Sequence, residues 1–146
     1  MADADRPLTE RGRADAGVAG AWLAAHGHVP DVVVCSPAKR TRQTWQAVAP
    51  ALPSTPTVRY DKRVYGGGAQ DLLSIVTGTG DEVLRLLLIG HNPAISMLSE
   101  LLDPDGGPGD SDGLRTCGLV VHQVPGSWRE CGTVPAPVAA THTARA

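Results

Sequence analysis

The sequence predicts an α/β fold in which helices alternate with buried strands of an open sheet. Two stretches carry this prediction, because in residues 32–44 and 83–102 an aliphatic run passes directly into a proline-led helical segment. A chain of 146 residues is long enough for one domain with a real core. Ligands of open α/β sheets bind beyond the carboxyl ends of the strands, so these two junctions are candidate functional positions.

The remaining elements follow in chain order. Thr9 is the expected N-cap of a helix over residues 10–26. Its apolar face is predicted on Ala14, Val18, Trp22 and Ala25. Further strands are expected over residues 57–60 and 119–124, and a short helix over residues 70–77.

Two glycine-rich segments are predicted to be loops. Residues 66–68 lack the Gly-Lys-Ser/Thr that a phosphate-binding loop needs, and residues 103–110 are acidic and turn-forming. Residues 135–146 are rich in Pro, Ala and Thr without an apolar period, and we expect a disordered tail there. The predicted domain therefore spans residues 1–134.

Composition excludes several classes of function. The net charge of -2, without a basic run, argues against binding to nucleic acid or to a membrane surface. Three cysteines without paired spacing predict neither a disulfide framework nor a metal site, and nothing indicates a cofactor. Neither a signal peptide nor a membrane-spanning run is visible, so we expect a reduced, cytoplasmic setting.

The first junction is suited to an anion. Ser36 is the predicted N-cap of a helix, and Pro37 suits its first position because proline lacks an N–H. The free N–H groups and the positive end of the helix dipole favour negative charge, and Arg40 adds a planar fork of donors in the first turn.

The second junction repeats this pattern. A buried strand ends in Gly90-His91, after which Asn92 is a possible cap and Pro93 begins a helix. We therefore expect Arg40 and His91 to face one crevice.

These motifs, in this order, resemble the histidine phosphatase superfamily, and within it the small SixA-type phosphohistidine phosphatases. The residues that carry the resemblance are Arg6-Pro7-Leu8-Thr9, Arg11-Gly12, Ser36-Pro37, Arg40, Gln43, Thr44, Tyr65, Gly90-His91-Asn92-Pro93 and Thr116. The resemblance implies a phosphoglycerate mutase-like, three-layer α/β/α sandwich with a mostly parallel sheet. It also implies phosphoryl transfer through a phosphohistidine, without a metal or other cofactor.

The resemblance assigns roles to particular residues. Arg40 would neutralise charge on the equatorial oxygens and His91 would hydrogen-bond the same phosphoryl group, which makes both catalytic. Arg6, Arg40, His91 and Asn92 would form the phosphate-binding set. The substrate would be a phosphorylated protein carrying phosphohistidine or a small phosphorylated molecule. No carboxylate stands out as general acid, and Asp5 is the nearest candidate.

One departure from the family pattern is large. The family opens with an interior strand ending in Arg-His-Gly or Arg-His-Ala, whose His is the nucleophile, and this chain has no such motif. His26 and His28 precede a strand, roughly 13 Å from its carboxyl end at about 3.3 Å per residue. His122 and His142 are expected to be structural or solvated.

Two explanations stay open for this departure. Either the sequence starts inside its domain, or it is a degenerate member that holds phosphate without turnover. We favour the first, because the opening residues are typical of the inside of a loop. Loss of an interior strand would leave unpaired edges, and we expect poor solubility for residues 1–146 alone.

A cysteine-phosphatase alternative is disfavoured. Cys35 and Arg40 are separated by four residues, whereas that chemistry needs five residues that form a cradle of backbone N–H groups. Pro37 starts a helix in that interval, and Cys35 is expected to be a buried strand residue.

Overall fold

The computed structural model describes residues 2–106 and 117–146. Within them the helices are α1 Glu10–Ala25, α2 Lys39–Val48, α3 Arg63–Gly66, α4 Ala69–Thr77 and α5 Ala94–Leu102. The strands are β1 Val32–Cys35, β2 Thr57–Tyr60, β3 Leu86–Ile89, β4 Gly118–His122 and β5 Val138–Thr143. Short 3-10 turns cover Asp3–Asp5, Ala49–Ala51 and Trp128–Glu130. Thr116 and part of the predicted loop 103–110 lie outside the described residues.

Three strands form a parallel sheet in the order β2-β1-β3. Cys35, the last residue of β1, lies opposite Tyr60 of β2 and Ile89 of β3. All three strands therefore end at the same edge of the sheet, which is where the sequence predicted a site.

The central strand separates two helical layers. Val33 and Cys35 are fully buried in a cluster with residues of α1 and α2, whereas Val34 packs into a cluster with residues of α4 and α5. Successive strand residues point to opposite faces, so a strand buried on both faces reads as the continuous apolar run seen here. The predicted three-layer α/β/α architecture with a parallel sheet is confirmed.

The last segment of the chain is a strand, which corrects the prediction of a disordered tail over 135–146. β5 runs antiparallel to β4, and exposure alternates residue by residue along it. Ala136 and Ala144, which flank β5, are fully buried. The pairing with β4 supplies the hydrogen bonds, and small alanines fit close contacts that a search for large apolar residues overlooks.

Helix α1 also buries a different face from the one predicted. Ala14 and Ala25 are exposed, while the buried residues are Gly12, Asp15, Ala16, Ala19, Gly20 and Leu23. This face is lined by small residues because α2 lies close against it. A Cβ at Gly20 would collide with the backbone oxygen of Val48.

The parallel sheet and the β4-β5 pair are separate. Among the described residues, β3 pairs only with β1, and β4 pairs only with β5. A cavity of about 780 Å³ lies between β3 and β4. No helix in the described ranges has the length and apolarity required to cross a bilayer.

Candidate active site

Arg40 and His91 meet at the carboxyl edge of the parallel sheet. β1 leads through residues 36–38 into α2, which carries Arg40 as its second residue, and β3 leads through Gly90 to His91. A terminal guanidinium nitrogen of Arg40 lies 3.2 Å from Nδ1 of His91. The structure thus brings together the two side chains that the sequence placed in one crevice.

Ser36 supports His91 and does not cap the helix as predicted. Its hydroxyl oxygen lies 2.7 Å from Nε2 of His91 and accepts from the backbone N–H of Ala38 at 3.2 Å. Ala38 has an extended backbone, with ψ of 146°, and is the N-cap of α2, which begins at Lys39. Ser36 is fully buried, and its hydroxyl holds the His91 imidazole at Nε2.

These partners determine the tautomer of His91. A guanidinium has only donors, so Nδ1 of His91 must accept from Arg40. The remaining proton is therefore on Nε2, which donates to Ser36 Oγ. Burial, followed by the positive charge of Arg40, lowers the pKa of His91 below its usual 6.5, in keeping with a neutral imidazole.

A carboxylate of the chain itself lies against Arg40 at this site. Oδ2 of Asp3 accepts from the Tyr65 hydroxyl at 2.8 Å and from Arg40 at 3.1 Å. Arg40 also donates to the backbone oxygen of Asp3 at 2.9 Å, and Arg6 pairs with Oδ1 at 2.9 Å. Two guanidinium groups and a phenol thus converge on one anion, and sequence reasoning missed Asp3 as their partner.

The ionisation of these groups agrees with that geometry. The hydrogen bond from Tyr65, with those from Arg40, holds the pKa of Asp3 below its usual range, and Asp3 in turn raises the pKa of Tyr65. Asp3 is therefore an anion at neutral pH and has no proton to donate. Asp5, the residue that the sequence favoured as general acid, is exposed, and Asp3 is the carboxylate at Arg40.

The other predicted phosphate ligands lie at the rim. Arg6 is 61% exposed and reaches the pocket through Asp3. Asn92 adjoins His91, and its side-chain oxygen accepts from the Ser96 hydroxyl at 2.7 Å, while Pro93 is the N-cap of α5. The segment that brings Asp3 to the pocket is tied to α2 where Leu8 N–H donates to Gln43 Oε1 at 2.7 Å.

Cys35 is unsuited to nucleophilic attack. The side chain is fully buried in β1, and burial raises the pKa of its thiol to about 12. A thiolate is the reactive form of cysteine, so almost none is present at neutral pH. The geometry therefore agrees with the sequence in disfavouring a cysteine phosphatase.

The other imidazoles belong to different clusters. Trp22 stacks on His26 at 4.4 Å and on His142 at 5.0 Å between ring centroids, and it lies 5.6 Å from His28. His122 bridges Ser99 and the backbone oxygen of Ala136, each at 2.7 Å. These contacts are structural, as the sequence predicted for His122.

The fold and the site define an α/β protein in which Arg40, His91 and Tyr65 converge with the Asp3 carboxylate at the carboxyl edge of a parallel sheet. Comparisons with known proteins identify the family to which this chain belongs. Residues 2–64 match the family model of the histidine phosphatase superfamily (branch 1). An uncharacterized protein of Mycobacterium tuberculosis is 36% identical over 136 residues, which is 89% of this chain and 84% of that protein.

Solved structures give the same result. A protein assigned as phosphohistidine phosphatase SixA from Nakamurella multipartitia superposes with a TM-score of 0.88 at 33% identity, covering all of this chain and 89% of that one. The fold is also that of the protein histidine phosphatase SixA solved with tungstate, with a TM-score of 0.82 at 19% identity over 98% and 87% of the two chains. The chain belongs to the histidine phosphatase superfamily.

Proposed function

We propose that the pocket of Arg40 and His91 binds the phosphoryl group of phosphohistidine or of a related phosphomonoester. The observation that carries this proposal is the Asp3 carboxylate held by Arg40 and Tyr65. Phosphoryl oxygens accept the same charge-assisted hydrogen bonds, and the planar guanidinium fork matches two of them at once. A phosphoryl group that displaced Asp3 would inherit its donors.

In this proposal Arg40 and His91 act electrostatically. Arg40 offsets the charge that spreads over the equatorial oxygens as the phosphoryl group is transferred. His91, neutral in the present arrangement, takes up a proton beside the incoming dianion and donates from Nδ1, while Ser36 keeps the ring in place. Neither group forms a bond to phosphorus.

The covalent step that the family resemblance implies needs a further imidazole. Its nitrogen would bond to phosphorus as the bond to the leaving group breaks, and water would then cleave the new N–P bond. We propose that this nucleophile is not among the five histidines of the chain. The clusters around Trp22 and Ser99 support this, because they occupy the other four imidazoles.

A phosphorylated protein is the substrate class that we favour. Arg6 and Tyr65 are 61% and 38% exposed at the rim, so the pocket is open enough for a side chain presented on another protein. Relatives described as phosphohistidine phosphatases support this choice. A non-catalytic binder of phosphate or phosphoproteins is the second candidate. It is favoured by the observation that the clusters around Trp22 and Ser99 already occupy the other four imidazoles.

Titration calorimetry with tungstate and orthophosphate tests the pocket. Arg40→Ala and His91→Ala should each weaken binding about tenfold or more, because each removes a hydrogen bond to a charged group. Arg42→Ala, on the exposed side of the same helix, and His26→Ala are the matched controls and should bind normally. Equal binding by all four variants would refute the proposed site.

Hydrolysis of an aryl phosphate tests the nucleophile. The chain of residues 1–146 should bind tungstate but show little turnover. Turnover that disappears in His91→Ala would mean that the chain carries its own nucleophile, and that part of the proposal would be wrong.

A further inference from the structure

We propose that residues 59–65 are the surface on which a phosphorylated partner protein docks, and that this partner is acidic around its phosphorylated side chain. The segment joins the end of β2 to α3 and is here called the basic segment. Because it names the kind of protein that would present the phosphoryl group, this inference rests on the proposed function. The segment carries five exposed side chains, which are Arg59, Tyr60, Lys62, Arg63 and Tyr65.

The basic segment borders the pocket on the β2 side. The ring of Tyr65 meets the ring of His91 edge-on, at 5.4 Å between centroids. The N–H of Asp61 donates to the backbone oxygen of Cys35 at 3.1 Å, so the segment runs past the carboxyl end of β1. Lys62 lies one turn before Tyr65, whose N–H donates to its backbone oxygen at 3.0 Å. A protein whose phosphorylated side chain enters the pocket therefore lies over this segment.

The basic segment is positively charged although the protein as a whole is not. Three cations and one carboxylate give residues 59–65 a net charge of +2, whereas the whole chain has a net charge of -2. The carboxylate, Asp61, is already paired, because Arg63 donates to its Oδ2 at 2.7 Å. This pairing lowers the pKa of Asp61 below its usual range, and the nearby charge of Arg59 lowers it further.

Two of these cations are available to a partner. In the part of the chain that the structure describes, the side chains of Arg59 and Lys62 form neither a hydrogen bond nor an ion pair. An acidic surface placed against them would gain favourable charge pairs without breaking existing ones. Complementary charges of this kind steer encounter and fix the orientation of two proteins.

Two tyrosines add apolar area to the same segment. Tyr60 and Tyr65 are 49% and 38% exposed. Tyrosine and arginine are enriched among the residues that dominate binding energy at protein–protein interfaces. A tyrosine ring supplies a large contact area at a low cost in conformational entropy. This composition favours a protein partner, since a small phosphomonoester would reach the pocket alone.

Other occupants fit the basic segment less well. Polybasic segments that bind anionic lipids carry about four to eight cations, and this segment has three. A symmetric contact with a second copy of the chain would bring the cations of one basic segment against those of the other. An acidic protein surface is the complement that satisfies both the charge and the position beside the pocket.

Two phosphopeptides test this inference by fluorescence anisotropy. Both carry a stable triazole analogue of phosphohistidine, X, at the centre. The acidic peptide is Gly-Glu-Glu-Ala-X-Ala-Glu-Glu-Gly, and the neutral one has Gln in place of each Glu. At about 3.3 Å per residue, the Glu side chains lie about 7–10 Å from X, over the basic segment. The chain should bind the acidic peptide about fivefold or more tighter at low salt, and added salt should reduce this difference.

A double variant identifies the source of the difference. Arg59→Gln with Lys62→Gln should lose most of the preference for the acidic peptide. It should bind tungstate as the wild type does, because neither side chain contacts the pocket. The matched control is Arg85→Gln with Arg129→Gln, which removes two exposed cations elsewhere and should keep the preference. Arg85 directly precedes β3 and lies at the opposite edge of the sheet.

The possible failures are distinguishable. Equal affinities of the wild type for the two peptides, or a preference that survives in the Arg59 and Lys62 double variant, would overturn the docking surface while tungstate binding retains the pocket. A preference lost equally in the control pair would also overturn it. A chain that binds neither tungstate nor either peptide would reject the pocket and the docking surface together. Sedimentation of the wild type, but not of the double variant, with phosphatidylserine vesicles would assign the segment to a membrane and overturn the inference as well.

Discussion

Arg40 donates to Nδ1 of His91 across 3.2 Å, although 51 residues separate the two in sequence. The pair is also fixed from both sides, since Ser36 holds the far nitrogen of the imidazole and Asp3 holds the far side of the guanidinium. A substitution of one of these two side chains therefore removes a hydrogen bond from the other. The first two predictions depend on this coupling.

Replacing Arg40 with lysine should weaken tungstate binding although the charge is conserved. Lysine is a point charge and cannot present a planar fork of donors to two oxygens of an oxyanion. We expect a loss of about tenfold, as for one charge-assisted hydrogen bond. Titration calorimetry measures it, and Arg42→Lys is the control. Unchanged affinity in Arg40→Lys would show that only charge matters at this position.

Tungstate affinity should rise as the pH falls through the neutral range toward the lowered pKa of His91 in the free protein, by at most about tenfold per unit. Burial and Arg40 lower the pKa of His91, so the free pocket holds a neutral ring. A bound dianion favours the protonated ring and raises that pKa, so binding takes up a proton in this range. The affinity of His91→Gln should be independent of pH. A wild-type profile that is flat would contradict proton uptake by His91.

Removing the charge of Asp3 should strengthen oxyanion binding. Asp3 occupies the donors of Arg40 and Tyr65, and a ligand must displace it. Because Asp3 is exposed, we expect a modest gain of about two- to fivefold in Asp3→Asn. Asp5→Asn removes an equal charge from the same turn and should have a smaller effect. Weaker binding in Asp3→Asn would mean that Asp3 belongs to the ligand site.

Two glycines of α1 should respond in opposite directions to alanine. A Cβ at Gly20 collides with the backbone of Val48, whereas a Cβ at Gly17 meets only Ala47 O at 3.9 Å. We expect Gly20→Ala to lower the free energy of unfolding by about 1–3 kcal/mol. Gly17→Ala should raise it by up to about 1 kcal/mol, the gain in helix propensity. Urea denaturation measures both, and equal effects would contradict the close approach of α1 to α2.

The sequence predicted the parallel sheet and the meeting of Arg40 with His91, because strand-to-helix junctions leave strong local signals. The predictions were wrong for residues whose role depends on partners that are distant in the sequence. Ser36 is a residue type that often caps helices, yet its hydroxyl contacts the imidazole of His91 and α2 begins only at Lys39. Asp3 resembled any turn residue, because its partners Arg40 and Tyr65 lie 37 and 62 positions away.

The same limit explains the other two errors. The buried face of α1 is lined by glycine and alanine, and such a face becomes visible only when its neighbour is known. The sequence of β5 shows no apolar period, and a disordered tail was predicted there. The strand is held by its pairing with β4, a contact that no local sequence pattern encodes. Both errors arise because small residues form the close contacts of α1 and β5.

Cys35 has a practical consequence for assays. Its thiol is fully buried and its pKa is raised to about 12, so it should resist alkylation by iodoacetamide and oxidation by peroxide. Reagents that silence cysteine-dependent phosphatases in a crude extract would leave the oxyanion pocket of this protein intact. Tungstate binding measured after alkylation would then report on Arg40 and His91 without interference from those enzymes.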